Sequence, residues 1–278
     1  MPPSQQNEKE TKLSSFIDQF VGVDTYAPGL VHYVDSFGTL HEMQASNIPQ
    51  KNHPNDIRIV AISDTHQRHE LLTLPPGDVL LHCGDILMFN SGFRPQVSVS
   101  KLRSFNQWLG TTPYTERVCI GGNHDSILEV IGKQQVQQLL THCHYLENEQ
   151  IQLQCGLSLF GTPASQANST FSPNKAFQYN PKFVESMFKN DVSPAVDVLI
   201  THGPLHSLPP AQSFLIQNKT PYYFCGHVHE EHGVELFHDT IAINASTMAN
   251  KNKKFSPSNP PIVTDFPYQR RVGATSNL

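Results

Sequence analysis

Five times along this chain a short apolar run gives way to a glycine or polar turn and then at once to an Asp, Asn or His. The β-branched run Ile57-Arg58-Ile59-Val60-Ala61-Ile62 is followed by Asp64 and His66. Residues 79–82 are followed by Gly84-Asp85, and residues 118–120 by Gly121-Gly122-Asn123-His124-Asp125. Residues 196–200 lead into Thr201-His202-Gly203, and residues 222–225 into Gly226-His227-Val228-His229. Runs of this length bounded by turn residues read as buried strands. Every polar residue in the pattern then sits on a loop at the carboxyl end of a strand, where sites of α/β folds gather. Asp, Asn and His are oxygen and nitrogen ligands of the kind that hold borderline divalent metals.

The intervening segments complete an architecture. Residues 99–109 and 126–140 carry apolar positions at helical spacing, the second on an imperfect face. Residues 151–153 and 157–160 read as a hairpin turning at Cys155-Gly156, and residues 234–237 and 240–244 as another turning at His238-Asp239. Strand–helix alternation followed by hairpins predicts an α/β fold, a layered sandwich of mixed β-sheets flanked by helices.

Length and charge bound the rest. The 278 residues suffice for one large domain or two small ones. We expect a partly disordered polar extension over residues 1–55, in which residues 31–42 have enough apolar content to pack on the fold. A core domain is expected over 56–268 and a tail over 269–278. The net charge of −5 argues against a nucleic-acid partner. The opening MPPSQQNEKE has no apolar segment of signal-peptide length, and no run spans a bilayer. Cys83, Cys119, Cys143, Cys155 and Cys225 are odd in number and lack CxxC spacing, which fits reduced thiols. The chain therefore reads as cytoplasmic, without a membrane partner. Without secretion, the sequon Asn168-Ser169-Thr170 carries no weight. The sequence leaves the oligomeric state open.

Each motif also has an ordinary reading. Asp64 after a strand is commonly a turn or cap residue, and Gly84-Asp85 is common turn chemistry. His202 alone reads as a half-buried histidine. Alternating histidines on an extended segment point to opposite faces, so His227 and His229 suit two separate metal contacts better than one. Asp125 fits either an acid that orients His124 or the N-cap of a helix starting at Ser126. His142-Cys143-His144 lies away from the other motifs and reads as a solvated loop, and Trp108 reads as core. Gly161-Thr162-Pro163 follows a strand and could line a pocket.

Taken together and in this order, the five motifs resemble the calcineurin-like metallophosphoesterase superfamily from about Arg58 to Asn244. The segment 56–85, Thr201-His202-Gly203-Pro204 and Ile243-Asn244-Ala245-Ser246-Thr247 further resemble metallophosphoesterase-domain proteins related to class III cyclic nucleotide phosphodiesterases. Asn259-Pro260-Pro261-Ile262-Val263 is similar to the C-terminal strap of that family, and Asn174-Lys175-Ala176-Phe177 is a looser match. Some animal members have lost the first histidine of the last motif or its preceding glycine; this chain keeps Gly226, His227 and His229.

The resemblance implies two divalent ions, manganese being the first expected and iron, zinc or nickel compatible. It implies Asp64, His66, Asp85 and His229 around one ion and Asp85, Asn123, His202 and His227 around the other, with Asp85 bridging. His124 would contact the phosphate or protonate the leaving oxygen instead of binding metal. The implied activity is hydrolysis of a small phosphoester, with phosphodiesters and cyclic nucleotides first. A phosphomonoesterase or protein phosphatase, or an interaction module on the same fold with weak or no catalysis, are the alternatives. Purple acid phosphatases place a tyrosine three residues after the Gly-Asp aspartate, where this chain has Met88. Serine/threonine protein phosphatases carry Asp-Arg-Gly after that motif, where residues 86–90 read ILMFN. Nucleases of this fold add capping domains and basic surfaces that this chain lacks room for.

Overall fold

The computed structural model describes residues 26–88, 95–168, 171–249 and 257–268. The expected disorder of the first ten residues, the C-terminal tail and part of the sequon lie outside them. Among the described residues, two mixed sheets stack between helices. The first has the order β2-β1-β13-β3-β4-β5-β6. Its strands are β1 (Leu30–Val34), β2 (Leu40–Gln44), β3 (Ile57–Ile62), β4 (Val79–His82), β5 (Glu116–Cys119), β6 (His144–Tyr145) and β13 (Ile262–Phe266). The second, ordered β11-β12-β10-β9-β8-β7, holds β7 (Glu149–Gln152), β8 (Ser158–Thr162), β9 (Val198–Thr201), β10 (Tyr222–Cys225), β11 (Gly233–Phe237) and β12 (Thr240–Asn244).

The period-two geometry of a strand explains the layering. On β3, Ile59 and Ala61 join the core between the sheets, with Val79, Leu81, Val198, Ile200 and Phe224. Val60 and Ile62 point the other way, into a core closed by α1 (Pro95–Thr111), α2 (Ser126–Ile131) and α3 (Lys133–Leu139) through Leu102, Phe105, Leu128 and Val136. On the far side, Leu199 and Tyr223 meet α4 (Pro181–Asn190) and α5 (Pro209–Asn218) through Met187, Phe188 and Phe214. A strand buried on both faces carries no polar alternation, which is why the apolar runs were continuous. Trp108 packs against the α1 core as expected, stacked near Phe105.

Three expectations need correction. Residues 126–140 are two helices, not one, because Gly132 takes φ of 79° between α2 and α3. A left-handed residue ends a helix and is inexpensive only for glycine. The segment assigned to an extension before residue 56 contributes β1 and β2 to the sheet. β1 pairs in parallel with β13 through His32 and Ile262, and antiparallel with β2. Val31 and Val34 are fully buried there, in line with the packing expected of residues 31–42, and Tyr26 is buried as well. The His142–His144 segment is only partly solvated. His142 and His144 are exposed, but Cys143 is buried and His144 pairs with Val118 of β5.

Strands β3, β4 and β5 run parallel in one sheet, and β8, β9 and β10 run parallel in the other. A bridge between Ser63 and Ser246 follows β3 and β12, and Thr247 donates its backbone N–H to the Ser63 carbonyl at 2.9 Å. The carboxyl ends from both sheets are thereby brought to one place.

Candidate metal centre

Seven of the expected residues meet at that place, on loops whose backbone is bent to deliver them. Asp64, His66, Asp85 and His227 take φ of 53°, 44°, 55° and 71°, the left-handed region. For non-glycine residues this costs roughly 1–3 kcal/mol each and clusters at functional sites. Burying Ile59, Val60 and Ile62 contributes about 1.5–3 kcal/mol apiece, the same scale as the strain at the strand tips. Backbone ties hold the bends: Asp64 N–H donates to Gly84 carbonyl at 2.9 Å, and His66 N–H to Asp85 carbonyl at 3.1 Å. Gly226 has to be glycine, since a β-carbon there would lie 2.0 Å from Ser63 Oγ and 2.3 Å from Asp64 Oδ2. That close approach lets His227 N–H donate to Asp64 Oδ2 at 2.9 Å.

The two histidines of the last motif do diverge, but not by strand alternation. His227 sits in the left-handed region and His229 opens a 3₁₀ turn. His227 Nδ1 lies 2.8 Å from Asn123 Oδ1, whereas His229 Nε2 faces Asp64 Oδ1 and His66 Nε2, each at 3.4 Å. Asp64, Asp85 and Asn123 are buried with His66 and His202.

The donors fit cations. Asp64, His66 and His229 form one compact cluster, and Asp64, Asp85 and His202 another. Asp64–His229, His66–His229 and Asp85–His202 are each separated by 3.4 Å. A tetrahedral ion with bonds of about 2.1 Å holds its ligands about 3.4 Å apart. Asp64 Oδ1 is buried without a hydrogen bond among the described residues. His202 faces oxygen on both sides, with Nδ1 2.9 Å from the Cys83 carbonyl and Nε2 2.9 Å from Asn123 Oδ1. A neutral imidazole has one N–H, so with Nδ1 donating to the Cys83 carbonyl the Nε2 lone pair is turned to the site, where a metal ion could take it. Carbonyl partners at Nδ1 of His202 (Cys83) and of His66 (Leu87, 2.9 Å) orient both rings with Nε2 inward.

Asp85 stands between the two sets. Its Oδ1 faces His202 Nε2 at 3.4 Å, and its Oδ2 faces His66 Nε2 and His124 Nε2 at 3.9 Å. Burial would raise both aspartates. The histidines outweigh it, His229 chiefly for Asp64 and His202 chiefly for Asp85, and hold both carboxyls below the usual range. The same aspartates overcome burial at His202 and push it up to about 9. His227 is lowered to about 4 by burial and by His202, and burial also lowers His66. Ligation requires an unprotonated imidazole, so an ion held at His202 would compete with a proton there.

Asp125 stands at the N-cap position of α2, one of the two readings the sequence left open, and its side chain turns to backbone N–H groups and not to His124. His124 Nδ1 faces the Met88 carbonyl, its N–H donates to Asp85 Oδ1 at 2.8 Å, and its Nε2 lies within reach of His66 and Asp85. The Asp125 carboxylate instead accepts from the backbone N–H groups of Ile86 (3.1 Å), Leu87 (2.8 Å) and Gly122 (2.9 Å). It is fully buried, and burial together with Asp85 raises it to about 8. At the N-cap position of α2 its side chain makes no capping bond. It is neither the orienting acid nor a side-chain cap; it staples the Asp85 loop to the Asn123 loop. The Met88 and Leu87 carbonyls that hold His124 and His66 were invisible to the sequence reading, because every residue has a carbonyl. Thr162, expected near the pocket, donates to Asn148 Oδ1 at 2.6 Å.

Comparison with known proteins places this geometry in a class. The model of the calcineurin-like phosphoesterase family matches residues 57–231, and the chain belongs to that family of metal-dependent phosphoester hydrolases. Among curated relatives, metallophosphoesterase domain-containing protein 1 of Homo sapiens is 30% identical over 254 residues, covering 78% of this chain and 73% of its own. A UPF0046 protein of Caenorhabditis elegans is 28% identical, covering 77% and 82%. The solved structure of a Thermus thermophilus protein, TT1561, has a TM-score of 0.50 at 12% identity, covering 68% of this chain and 88% of its own. It shares the fold.

Proposed function

We propose that this chain hydrolyses small phosphodiesters, cyclic nucleotides first, with Asp64, His66, Asp85 and His229 holding one divalent ion and Asp85, Asn123, His202 and His227 a second. The observation that carries the reading is Asp85, whose two oxygens face two different ligand sets. When bound, two such ions supply Lewis acidity and a nucleophile at neutral pH. The family likeness makes manganese the first choice, and the carboxylate, amide and imidazole donors are equally compatible with iron, zinc or nickel. Two aspartates against two divalent charges leave the site net positive, since Asn123 is neutral and Asp125 is spent on backbone N–H groups. An anionic ester suits such a site. His124, half-buried and held at Nδ1, turns Nε2 toward Asp85, where it can give a proton to the leaving oxygen.

No helix among the described residues is long and apolar enough to cross a membrane. All five cysteines are free thiols, four of them buried, which fits a reducing compartment, and we assign the protein to the cytoplasm. The preference for diesters rests on the family likeness. A panel of 2′,3′- and 3′,5′-cyclic nucleotides, bis-p-nitrophenyl phosphate and p-nitrophenyl phosphate, run on manganese-loaded protein, tests it. Diesters are expected to be turned over faster than the monoester, and a strong monoester preference would overturn the diester reading.

A further inference from the structure

The segment between β8 and α4 crosses to the ligand loop that follows β5. Ala176 N–H donates to the carbonyl of Asn123 at 3.2 Å, and Phe177 N–H donates to Glu129 Oε1 at 3.1 Å. The Phe177 ring lies against Gly121, where an added β-carbon would meet it at 2.6 Å. Asn174 is held beside these anchors. Its N–H donates to Ser172 Oγ at 3.2 Å, and its carbonyl accepts from Asn168 Nδ2 at 2.7 Å. Tied through its backbone, it turns its carboxamide inward. The residue is 9% exposed, and Nδ2 lies 3.2 Å from His124 Nε2. Its Oδ1 is buried and has no hydrogen-bond partner among the described residues.

The pairing fixes the imidazole from both ends. The Met88 carbonyl facing His124 Nδ1 only accepts, so Nδ1 carries a hydrogen. The Asn174 carboxamide faces Nε2 at 3.2 Å, and it can donate an N–H to that nitrogen or, turned over, accept one from it. We propose that Asn174 is a positioning residue for the phosphoester reaction, clamping His124 at Nε2 so that the ring keeps the orientation given by the Met88 carbonyl at Nδ1.

This inference rests on His124 acting on the ester and not on a metal, and the test separates the two claims. The variants are Asn174→Ala, His124→Ala and the double substitution, each measured for metal content and for turnover of a diester with a poor leaving group. Asn174→Ala is expected to keep both ions and to lose roughly 10- to 100-fold in kcat, the usual effect of removing a group that orients a working side chain. In the His124→Ala background the same change should cost almost nothing, because its effect passes through that ring. An equal loss in both backgrounds, or a metal ion lost from Asn174→Ala, would overturn the clamp. A second readout needs no turnover. The ¹⁵N resonance of His124 Nε2 in zinc-loaded protein should move in Asn174→Ala, and an unmoved resonance contradicts the proposal even if no substrate is found. If wild-type protein hydrolyses no diester while the resonance moves, the clamp stands and the assigned reaction fails.

Discussion

Replacing Asp85 by Asn is expected to produce the largest loss of activity of any single change among the proposed metal ligands. Asp85 is central: Oδ1 is turned to His202, Oδ2 to His66 and His124, and Oδ1 also accepts the His124 backbone N–H. An amide keeps the shape but gives up the charge, and it offers one oxygen where the site uses two. If both ions depend on this carboxylate, the cost is several kcal/mol of transition-state stabilisation, on the order of 10³–10⁴ in kcat/KM. Asp64→Asn should cost less, because Asp64 is assigned to one ion, with Oδ1 3.4 Å from His229 Nε2 and Oδ2 accepting the His227 N–H at 2.9 Å. The check is kcat/KM and bound metal for both variants side by side. A much deeper loss in Asp64→Asn than in Asp85→Asn would mean that Asp85 does not bridge.

The second large effect is expected at His124. His124→Ala should keep both ions, because the four donors assigned to each are untouched. Turnover should fall on the order of 10²–10⁴-fold where a proton must reach the leaving oxygen. The fall should shrink for a nitrophenolate leaving group, which departs without a proton. Two diesters of different leaving-group pKa, measured with metal content, separate the possibilities. A lost ion would make His124 a ligand, as its place beside His66 and Asp85 allows on distance alone. An equal drop for both esters would leave it a structural residue.

What could be read in the sequence was whatever short-range chemistry writes there. Ile57–Ile62 is apolar and β-branched because both faces are buried, and a ligand directly after such a run can only be at a strand end. All seven ligand candidates were found this way. What could not be read depends on partners distant in sequence. Asp125 sits where an N-cap belongs, and only the structure brings the Ile86 and Leu87 N–H groups, nearly forty residues earlier, onto its carboxylate. Strand β1 lies between β2 and β13, so its LVHYV pattern gains meaning only from a segment more than two hundred residues later. Asn174 reaches His124 across fifty positions. Some signals were present but unused: Asn180-Pro181 opens α4 with a side-chain cap to Lys182 N–H and proline in the first turn, a local start signal. Gly132 likewise marks the break between α2 and α3.

The account's central claim is that catalysis depends on ions held between these loops. The direct measurement is turnover of bis-p-nitrophenyl phosphate by wild-type protein stripped with chelator, verified metal-free by elemental analysis, and then titrated with Mn²⁺. Activity should vanish on stripping and return as the protein takes up two ions per chain, with Asp85→Asn failing to recover under the same titration. Undiminished turnover in verified metal-free protein would contradict the account.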